Sequence, residues 1–131
     1  MKNKEKLIWS VDCMIDIFDC DPDVFNELKI KEFARAISKI IEPSEEIVGM
    51  VNPFGDHESR MKGLRLVHEN MNSLITANFV EEGRKVFLNL SSCAPYKVSE
   101  VLSCIKEFLK TEDYFCRRAL REYDMGSGES E

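Results

Sequence analysis

The spacing of hydrophobic residues changes from a period of two to the helical period of ~3.6 within the first third of the chain. One side of the extended segment 7–18 carries Leu7, Trp9, Val11, Cys13 and Ile15. This alternation predicts a half-buried β-strand. Asp19-Cys20-Asp21-Pro22 interrupts it, and we expect Asp21 to cap a helix with Pro22 in its first position. A strand that leads directly into an amphipathic helix restricts the chain to folds in which helices pack on a sheet.

Two segments have the spacing of a helix with one buried face. The first ends at Glu42-Pro43, because proline disfavours the helical conformation of the residue before it. Its predicted buried face is Ile30, Phe33, Ala34, Ile37, Ile40 and Ile41. The second helix follows Ser91-Ser92-Cys93-Ala94-Pro95, and its predicted buried face is Val98, Val101, Leu102, Ile105, Phe108 and Leu109.

The remaining extended segments predict strands at Glu46–Val51, Gly63–Val67, Leu74–Val80, Lys85–Leu90 and Tyr114–Leu120. Turn-forming residues predict a loop at 52–56 and a hairpin turn at 81–83. The order β-α-β-β-β-β-α-β predicts an α+β fold, a two-layer sandwich whose mostly antiparallel sheet has both helices on one face. We expect a single domain over residues 1–124 and a flexible polar tail over 125–131.

Composition excludes several classes of protein. The 131 residues carry a net charge of −6, which argues against a general nucleic-acid binder. No apolar stretch is long enough to span a membrane, and the basic start has no signal-peptide core. Five cysteines without secretory context indicate reduced thiols and a cytoplasmic location. His57 and His68 lie in different segments and the cysteines are scattered, so we expect no metal site.

Chemistry-bearing residues are sparse. The sequence has neither a phosphate-binding glycine loop nor a G-x-S-x-G nucleophile motif. Arg117, Arg118 and Arg121 form a basic cluster, which we interpret as a solvated face, with phosphate or partner binding as the alternative. Ser73 stands just ahead of a predicted strand, and sheet geometry can bring Cys93 near it. By itself this pair is equally consistent with an ordinary exposed serine and a small buried cysteine.

The sequence resembles the short prokaryotic type of S-adenosylmethionine decarboxylase, a pyruvoyl enzyme of spermidine synthesis, over most of residues 7–122. Met14-Ile15-Asp16-Ile17-Phe18-Asp19-Cys20-Asp21 is similar to the family's first strand and the Cys-Asp that ends it. Counting back from Cys93 without a gap places Ser73 on the family's processed serine and Asn78 on its histidine. Pro95-Tyr96-Lys97 is similar to the start of the family's second helix.

The resemblance implies that the chain cleaves itself at the Asn72–Ser73 bond. Ser73 would become a pyruvoyl group, the cofactor whose ketone forms a Schiff base with the amine of S-adenosylmethionine and accepts electrons during decarboxylation. Cys93 would donate a proton to the resulting carbanion. Phe54 would stack on the adenine, with a core phenylalanine as the alternative, and Glu69 is the acidic candidate for substrate binding. The family's assembly implies a homodimer.

Several positions depart from the family pattern. Its histidine is Asn78, whose amide can serve neither as base nor as acid. The usual Glu before the processed serine is Asn72, and the position of an upstream hydroxyl residue that assists processing is occupied by Arg65. Val80 and Glu81-Glu82 replace an aromatic residue and Pro-Glu. A second alignment, anchored on Gly63, would put Glu69-Asn70 at the scissile position.

Two hypotheses follow from the resemblance and its departures. In the first, the chain is an active pyruvoyl decarboxylase that acts on S-adenosylmethionine or on another amino acid in a remodelled pocket. In the second, it is a relative that does not process itself and carries no cofactor, but binds a ligand or regulates a partner subunit. The loss of the histidine at Asn78 favours the second, and the retention of Ser73 and Cys93 favours the first.

Overall fold

The computed structural model describes residues 6–56, 58 and 60–124. Six strands and two α-helices follow the predicted order, with a short 3-10 turn at Pro22–Val24. The strands are β1 (Lys6–Ile17), β2 (Val48–Phe54), β3 (Gly63–Glu69), β4 (Ser73–Val80), β5 (Lys85–Ser92) and β6 (Tyr114–Asp124). The helices are α1 (Glu27–Ile41) and α2 (Val98–Leu109). The tail at 125–131 and His57 lie outside the described residues.

The six strands form one sheet in the order β2-β3-β4-β5-β1-β6, and every neighbouring pair is antiparallel. Both helices pack on the same face and share one hydrophobic core with it. The predicted α+β sandwich is therefore confirmed. The other face of the sheet is not covered by any element of the described chain.

The core forms because the alternating positions of the central strands meet the apolar stripes of both helices. Phe33 of α1 packs edge-on against Phe79 of β4, with ring centroids 6.1 Å apart, and contacts Phe108 of α2. The predicted helix faces are confirmed, although Ile40, Val98, Leu102 and Phe108 are only partly buried. The fully buried strand residues include Ile15, Ile17, Leu66, Ile75, Val86 and Leu88.

The prediction for the start of β1 is wrong. Leu7 and Trp9 are exposed, whereas Cys13 and Ile15 are buried as expected. The register between β1 and β6 shifts between Ile8 and Ser10. Such an irregularity reverses the alternation of the residues before it, so Leu7 lies on the face opposite Cys13 and Ile15. Ser10 lies on the same face as Asp12, and its buried hydroxyl donates a hydrogen bond to that carboxylate.

Two local predictions also need correction. Asp21 caps the 3-10 turn by accepting a hydrogen bond from the backbone N of Asp23, while Asn26 caps α1 by accepting one from Lys29. The segment 52–54, predicted as part of a loop, continues β2, and Phe54 pairs with Gly63. Proline is tolerated at this point because β2 is an edge strand.

Candidate functional site

Buried polar residues concentrate where the C-terminal end of α1 meets the β3–β4 turn. A polar group removed from water is stable only when it is hydrogen-bonded, so such a concentration indicates a built site. The described chain buries eight polar or charged residues. Those in the contacts at this end are Ser38, Glu42, His68, Asn70, Ser73 and Ser92.

Ser73, the first residue of β4, is 5% exposed and pairs with Ser92 at the end of β5. Its Oγ donates a hydrogen bond to Glu42 Oε1 over 2.7 Å and lies 2.7 Å from Ser92 Oγ. Because the Ser73 proton is directed at Glu42, Ser92 is the donor in the second bond. The backbone N of Ala94 donates in turn to Ser92 Oγ over 3.1 Å. Donors and acceptors therefore run in one direction, from Ala94 through both serines to Glu42.

Glu42 is the C-cap of α1, and its extended backbone ends the helix just before Pro43. Its side chain is 6% exposed and also accepts hydrogen bonds from Asn72, from the backbone N at 3.0 Å and from Nδ2 at 3.0 Å. Burial raises the pKa of Glu42, but hydrogen bonds from Ser73, Asn72 and Ser44 outweigh it and hold the pKa below its ordinary value of 4.5. Glu42 is therefore an ionised carboxylate at neutral pH.

Hydrogen bonds position the residues on both sides of the Asn72–Ser73 peptide bond: Ser73 donates to Glu42, and Asn72 accepts from Cys93. The carbonyl O of Asn72 accepts a hydrogen bond from the backbone N of Cys93 over 2.9 Å. Cys93 itself is exposed. The arrangement thus joins a serine hydroxyl, a buried carboxylate and a backbone donor to a carbonyl oxygen. These groups can direct the hydroxyl proton to the carboxylate and polarise the preceding carbonyl.

Asn78 and Phe54, two of the predicted site residues, lie away from Ser73. Asn78 is five positions along β4 from Ser73, about 17 Å at ~3.4 Å per residue, and its side chain lies on the uncovered face. Its Oδ1 accepts a hydrogen bond from Arg65 Nε over 2.8 Å. The Arg65 guanidinium also lies over the Phe54 ring, 4.9 Å from its centroid. Arg65 therefore contacts both Asn78 and Phe54.

Glu69 is the last residue of β3 and pairs with Leu74, the residue after Ser73. Its side chain is exposed, and its backbone carbonyl accepts a hydrogen bond from Ile47. Its side chain therefore lies on the face of the sheet opposite the Ser73 hydroxyl. No group of three or more metal-ligating side chains occurs in the parts of the chain that the structure describes.

A second cluster of buried polar residues, around Asn70 and His68, lies next to the one that contains Ser73 and Glu42. Asn70 accepts a hydrogen bond from Ser38 Oγ, and its Nδ2 donates to the carbonyls of Ser44 and Glu45. His68 is buried with Nδ1 3.5 Å from Glu46 Oε1, and no partner is present at its Nε2 among the described residues. Burial lowers the pKa of His68 below 6.5, an effect that Glu46 and Asn70 oppose only in part.

The uncovered sheet face contains a cavity of about 330 Å³ next to the first residues of β4. Leu74 lines it, as do Asp12, Met14, Thr76, Asn89 and Arg121. Asp12 accepts hydrogen bonds from Ser10, Ser91 and Arg121. Arg121, at 2.8 Å from Asp12, and Arg117, at 3.5 Å from Asp16, are thus paired with carboxylates on β1.

Sequence reasoning missed Glu42 and Ser92. The sequence pattern explains Glu42 as the residue that ends a helix before proline, and Ser92 as part of the segment that leads into the second helix. One signal was available, because a strand starting at Ser73 and a strand extended to Ser92 place the two serines opposite each other across the hairpin. The contact with Glu42 depends on how α1 packs on the sheet, which a local pattern does not determine.

Comparison with known proteins agrees with this fold. No family model matches the sequence, and no curated protein matches it. Among solved structures, the chain is similar to the crystal structure of the adenosylmethionine decarboxylase from Aquifex aeolicus. The match has a TM-score of 0.72 at 16% sequence identity and covers 95% of this chain and 98% of that chain. The chain therefore has the fold of an adenosylmethionine decarboxylase along nearly its whole length.

Proposed function

We propose that the protein is a pyruvoyl-dependent decarboxylase of the S-adenosylmethionine decarboxylase type, formed by one domain over residues 1–124 and active in polyamine synthesis. The observation that carries the proposal is the arrangement at the Asn72–Ser73 bond. The Ser73 hydroxyl is hydrogen-bonded to Glu42 over 2.7 Å, and the Asn72 carbonyl accepts the Cys93 backbone N–H over 2.9 Å. The nucleophile and the bond it would attack are therefore both oriented.

Cleavage would convert this bond into the cofactor. Ser73 Oγ bonds to the Asn72 carbonyl carbon while the C–N bond breaks, which gives an ester and a free amine on Ser73. Loss of the Ser73 Cα proton would then expel the Asn72 carboxylate and form a Cα=Cβ double bond. The resulting enamine would tautomerise to an imine, which water would hydrolyse to the ketone of a pyruvoyl group, with release of ammonia. The group supplies an electron sink for decarboxylation when it is present.

Cys93 is the proposed proton donor to the substrate carbon. Its exposed thiol follows β5 directly, next to the backbone contact with Asn72. A neutral thiol can donate a proton to a carbanion and is restored by solvent. Asn78, Phe54 and Glu69 are proposed as further site residues. The Phe54–Arg65–Asn78 group lies far from Ser73 in the same chain, so their contribution would require a surface shared between two copies.

We further propose a homodimer that uses the uncovered sheet face. The support is the set of large apolar side chains exposed there, which are Met14, Met50, Leu74 and Phe115. We place the protein in the cytoplasm, because its odd number of cysteines, all unpaired in the structure, suits a reducing compartment. No helix of the described chain is long and apolar enough to cross a membrane.

The mass of the purified protein tests processing. We expect fragments 1–72 and 73–131, the second with a blocked N-terminus and the mass of a pyruvoyl group in place of Ser73. The Ser73→Ala variant should remain intact, and Ser103→Ala, which changes an exposed serine on α2, should cleave normally. Release of labelled CO₂ from carboxyl-labelled S-adenosylmethionine, compared with other amino acids, then identifies the substrate.

One observation favours the alternative of a non-processed relative that binds a ligand or regulates a partner. Asn78 has no titratable group, and its amide oxygen is already bonded to Arg65. An intact wild-type chain that releases no CO₂ from any of these substrates would establish this alternative and contradict the decarboxylase.

A further inference from the structure

We propose that Glu42 is the base that accepts the Ser73 hydroxyl proton when Ser73 attacks the Asn72 carbonyl. This assignment rests on the proposed self-cleavage and gives the chain a proton acceptor that does not depend on a histidine at position 78. In this step the Ser73 O–H bond breaks and its proton passes to Glu42 Oε1. At the same time Oγ bonds to the carbonyl carbon, whose π electrons move to the Asn72 oxygen, and the proton is later returned to the departing amine.

The hydrogen bonds of Ser73 support this direction of transfer. Its proton is directed at Glu42 Oε1 over 2.7 Å, and Ser92 donates to its oxygen over 2.7 Å. One lone pair of Oγ is therefore occupied and the other is free to attack. The chain of donors from Ala94 through Ser92 leads to the carboxylate, and such an ordered chain strengthens each hydrogen bond within it.

Glu42 also fixes the residue that carries the attacked carbonyl. Its carboxylate accepts the backbone N–H and the side-chain Nδ2–H of Asn72, each at 3.0 Å. The same group thus contacts the nucleophile and the residue before the scissile bond. The Cys93 N–H, at 2.9 Å from the Asn72 oxygen, is positioned for the negative charge that develops there.

The surroundings keep Glu42 available as a base. It is 6% exposed, and no lysine, arginine or histidine of the described residues forms an ion pair with it. Its partners are neutral hydroxyl and amide groups. These donors orient the carboxylate and keep it unprotonated at neutral pH, which is the form that can accept the Ser73 proton.

The experiment compares cleavage of Glu42→Gln with that of the wild-type chain. Both are made by cell-free synthesis, and the intact fraction is followed by mass spectrometry. The glutamine retains the shape and one acceptor oxygen, which can still accept from Ser73, but its NH2 replaces the oxygen that accepts from Asn72 Nδ2. It is not a base, so we expect cleavage to slow by about 10²–10⁴-fold. Glu45→Gln is the matched control, because Glu45 is exposed and contacts Asn70 through its backbone carbonyl, which the substitution leaves in place. It should cleave at the wild-type rate.

Two further measurements separate a base from a purely structural role. The wild-type cleavage rate should fall in acid as Glu42 is protonated, and Glu42→Gln should lose this dependence. Glu42→Asp, which keeps a carboxylate, should show slower cleavage with the acid-side dependence retained. It also tests the proposal if the glutamine variant fails to fold, as judged by circular dichroism, because a pH-independent rate in the aspartate variant would contradict the assignment.

Hydroxylamine identifies the step that is blocked, because it cleaves an ester but not the original amide. Glu42→Gln should yield no fragments when it is added. Fragments that include one starting with an intact serine would show that the ester forms without Glu42, and would overturn the assignment. A wild-type chain that stays intact overturns the proposed function and this role with it. Equal cleavage by wild type and Glu42→Gln overturns the role of Glu42 alone.

Discussion

Arg65 Nε donates a hydrogen bond to Asn78 Oδ1 over 2.8 Å, and the two residues are directly opposite each other on β3 and β4. In the alignment counted back from Cys93, they would take the two positions at which the family that the sequence resembles has a hydroxyl residue and a histidine. Both departures from that pattern therefore belong to one contact. A guanidinium and an amide satisfy each other here, and the amide can serve neither as base nor as acid.

This contact predicts coupled effects of substitution. We expect Arg65→Met and Asn78→Ala to show a coupling free energy of about 0.5–1.5 kcal/mol in a double-mutant cycle, the usual net value of one hydrogen bond. Urea unfolding of the four proteins measures it. Arg60→Met with Asn78→Ala serves as the control pair, since Arg60 contacts Glu82 instead. Additive effects of Arg65 and Asn78 would show that the bond does not persist in solution.

Ser92→Ala should destabilise the protein by about 1–3 kcal/mol, because it removes the donor to buried Ser73 and leaves the Ala94 N–H without its acceptor. The free energy of unfolding in urea provides the measurement. Ser103→Ala on the exposed side of α2 is the matched control and should change stability by less than ~0.5 kcal/mol. A Ser92→Ala variant as stable as this control would contradict the buried chain of hydrogen bonds.

Stability should decrease in acid through Glu42. Its pKa is lower in the folded protein than in the unfolded chain, so the unfolded chain binds the proton more readily. The resulting stabilisation is complete above pH ~4.5 and is lost as the pH falls through the folded pKa. Unfolding free energies between pH 3 and 6 should show this slope, and Glu42→Gln should reduce it. An unchanged slope in the variant would assign the acid sensitivity to other carboxylates.

His68 should contribute a second, separate dependence of the unfolding free energy on pH. Burial lowers its pKa in the folded protein below 6.5, so the unfolded chain takes up the proton first. The folded protein should therefore lose stability as the pH falls below ~6.5 toward the folded pKa, and remain level with respect to this group below it. His68→Gln should flatten the curve between pH 5 and 7. A curve that keeps its slope without His68 would contradict the buried neutral imidazole.

Thiol chemistry should distinguish Cys93 from the buried cysteines. Cys93 is exposed, whereas burial and the neighbouring Asp19 raise the pKa of Cys20 to about 12. The thiolate is the reactive form, so iodoacetamide at pH 8 should modify Cys93 before Cys13 or Cys20. Peptide mapping after short exposure checks the order, and early labelling of Cys20 would contradict its burial.

Cys93→Ala should separate the two proposed reactions. The proposed cleavage uses the backbone N–H of position 93, which alanine retains, so the fragments should appear as in wild type. Decarboxylation should fall by about 10²-fold or more if the thiol delivers the proton. Cys104→Ala on α2 is the control. Equal CO₂ release by both variants would remove Cys93 from the reaction.

The sequence was sufficient to predict the fold because each element carries its own periodicity. The stripes from Ile30 to Ile41 and from Val98 to Leu109 both face the core. The predictions from sequence are wrong where a local pattern competes with tertiary structure. The irregularity between Ile8 and Ser10 reverses the alternation at the start of β1, and sheet pairing with Gly63 extends β2 through a segment of turn-forming residues.

The candidate site was accessible to prediction only in part. The spacing from Ser73 to Cys93 follows from hairpin register, and the structure brings Cys93 to the bond before Ser73 through a backbone contact. Glu42 lies about thirty residues earlier, and nothing in its neighbourhood indicates that its side chain turns inward. A contact between the end of a helix and the start of a distant strand depends on packing, which has no periodic signature.

The order of strands in the sheet determines what a cut at Asn72–Ser73 would leave. The piece before the cut contributes β1, β2 and β3, and the piece after it contributes β4, β5 and β6. Yet β1 lies between β5 and β6, hydrogen-bonded to both, while β3 lies against β4. The two pieces are interleaved, so each would hold the other in place without a covalent link. A severed backbone would remain a single folded particle that comes apart only by unfolding.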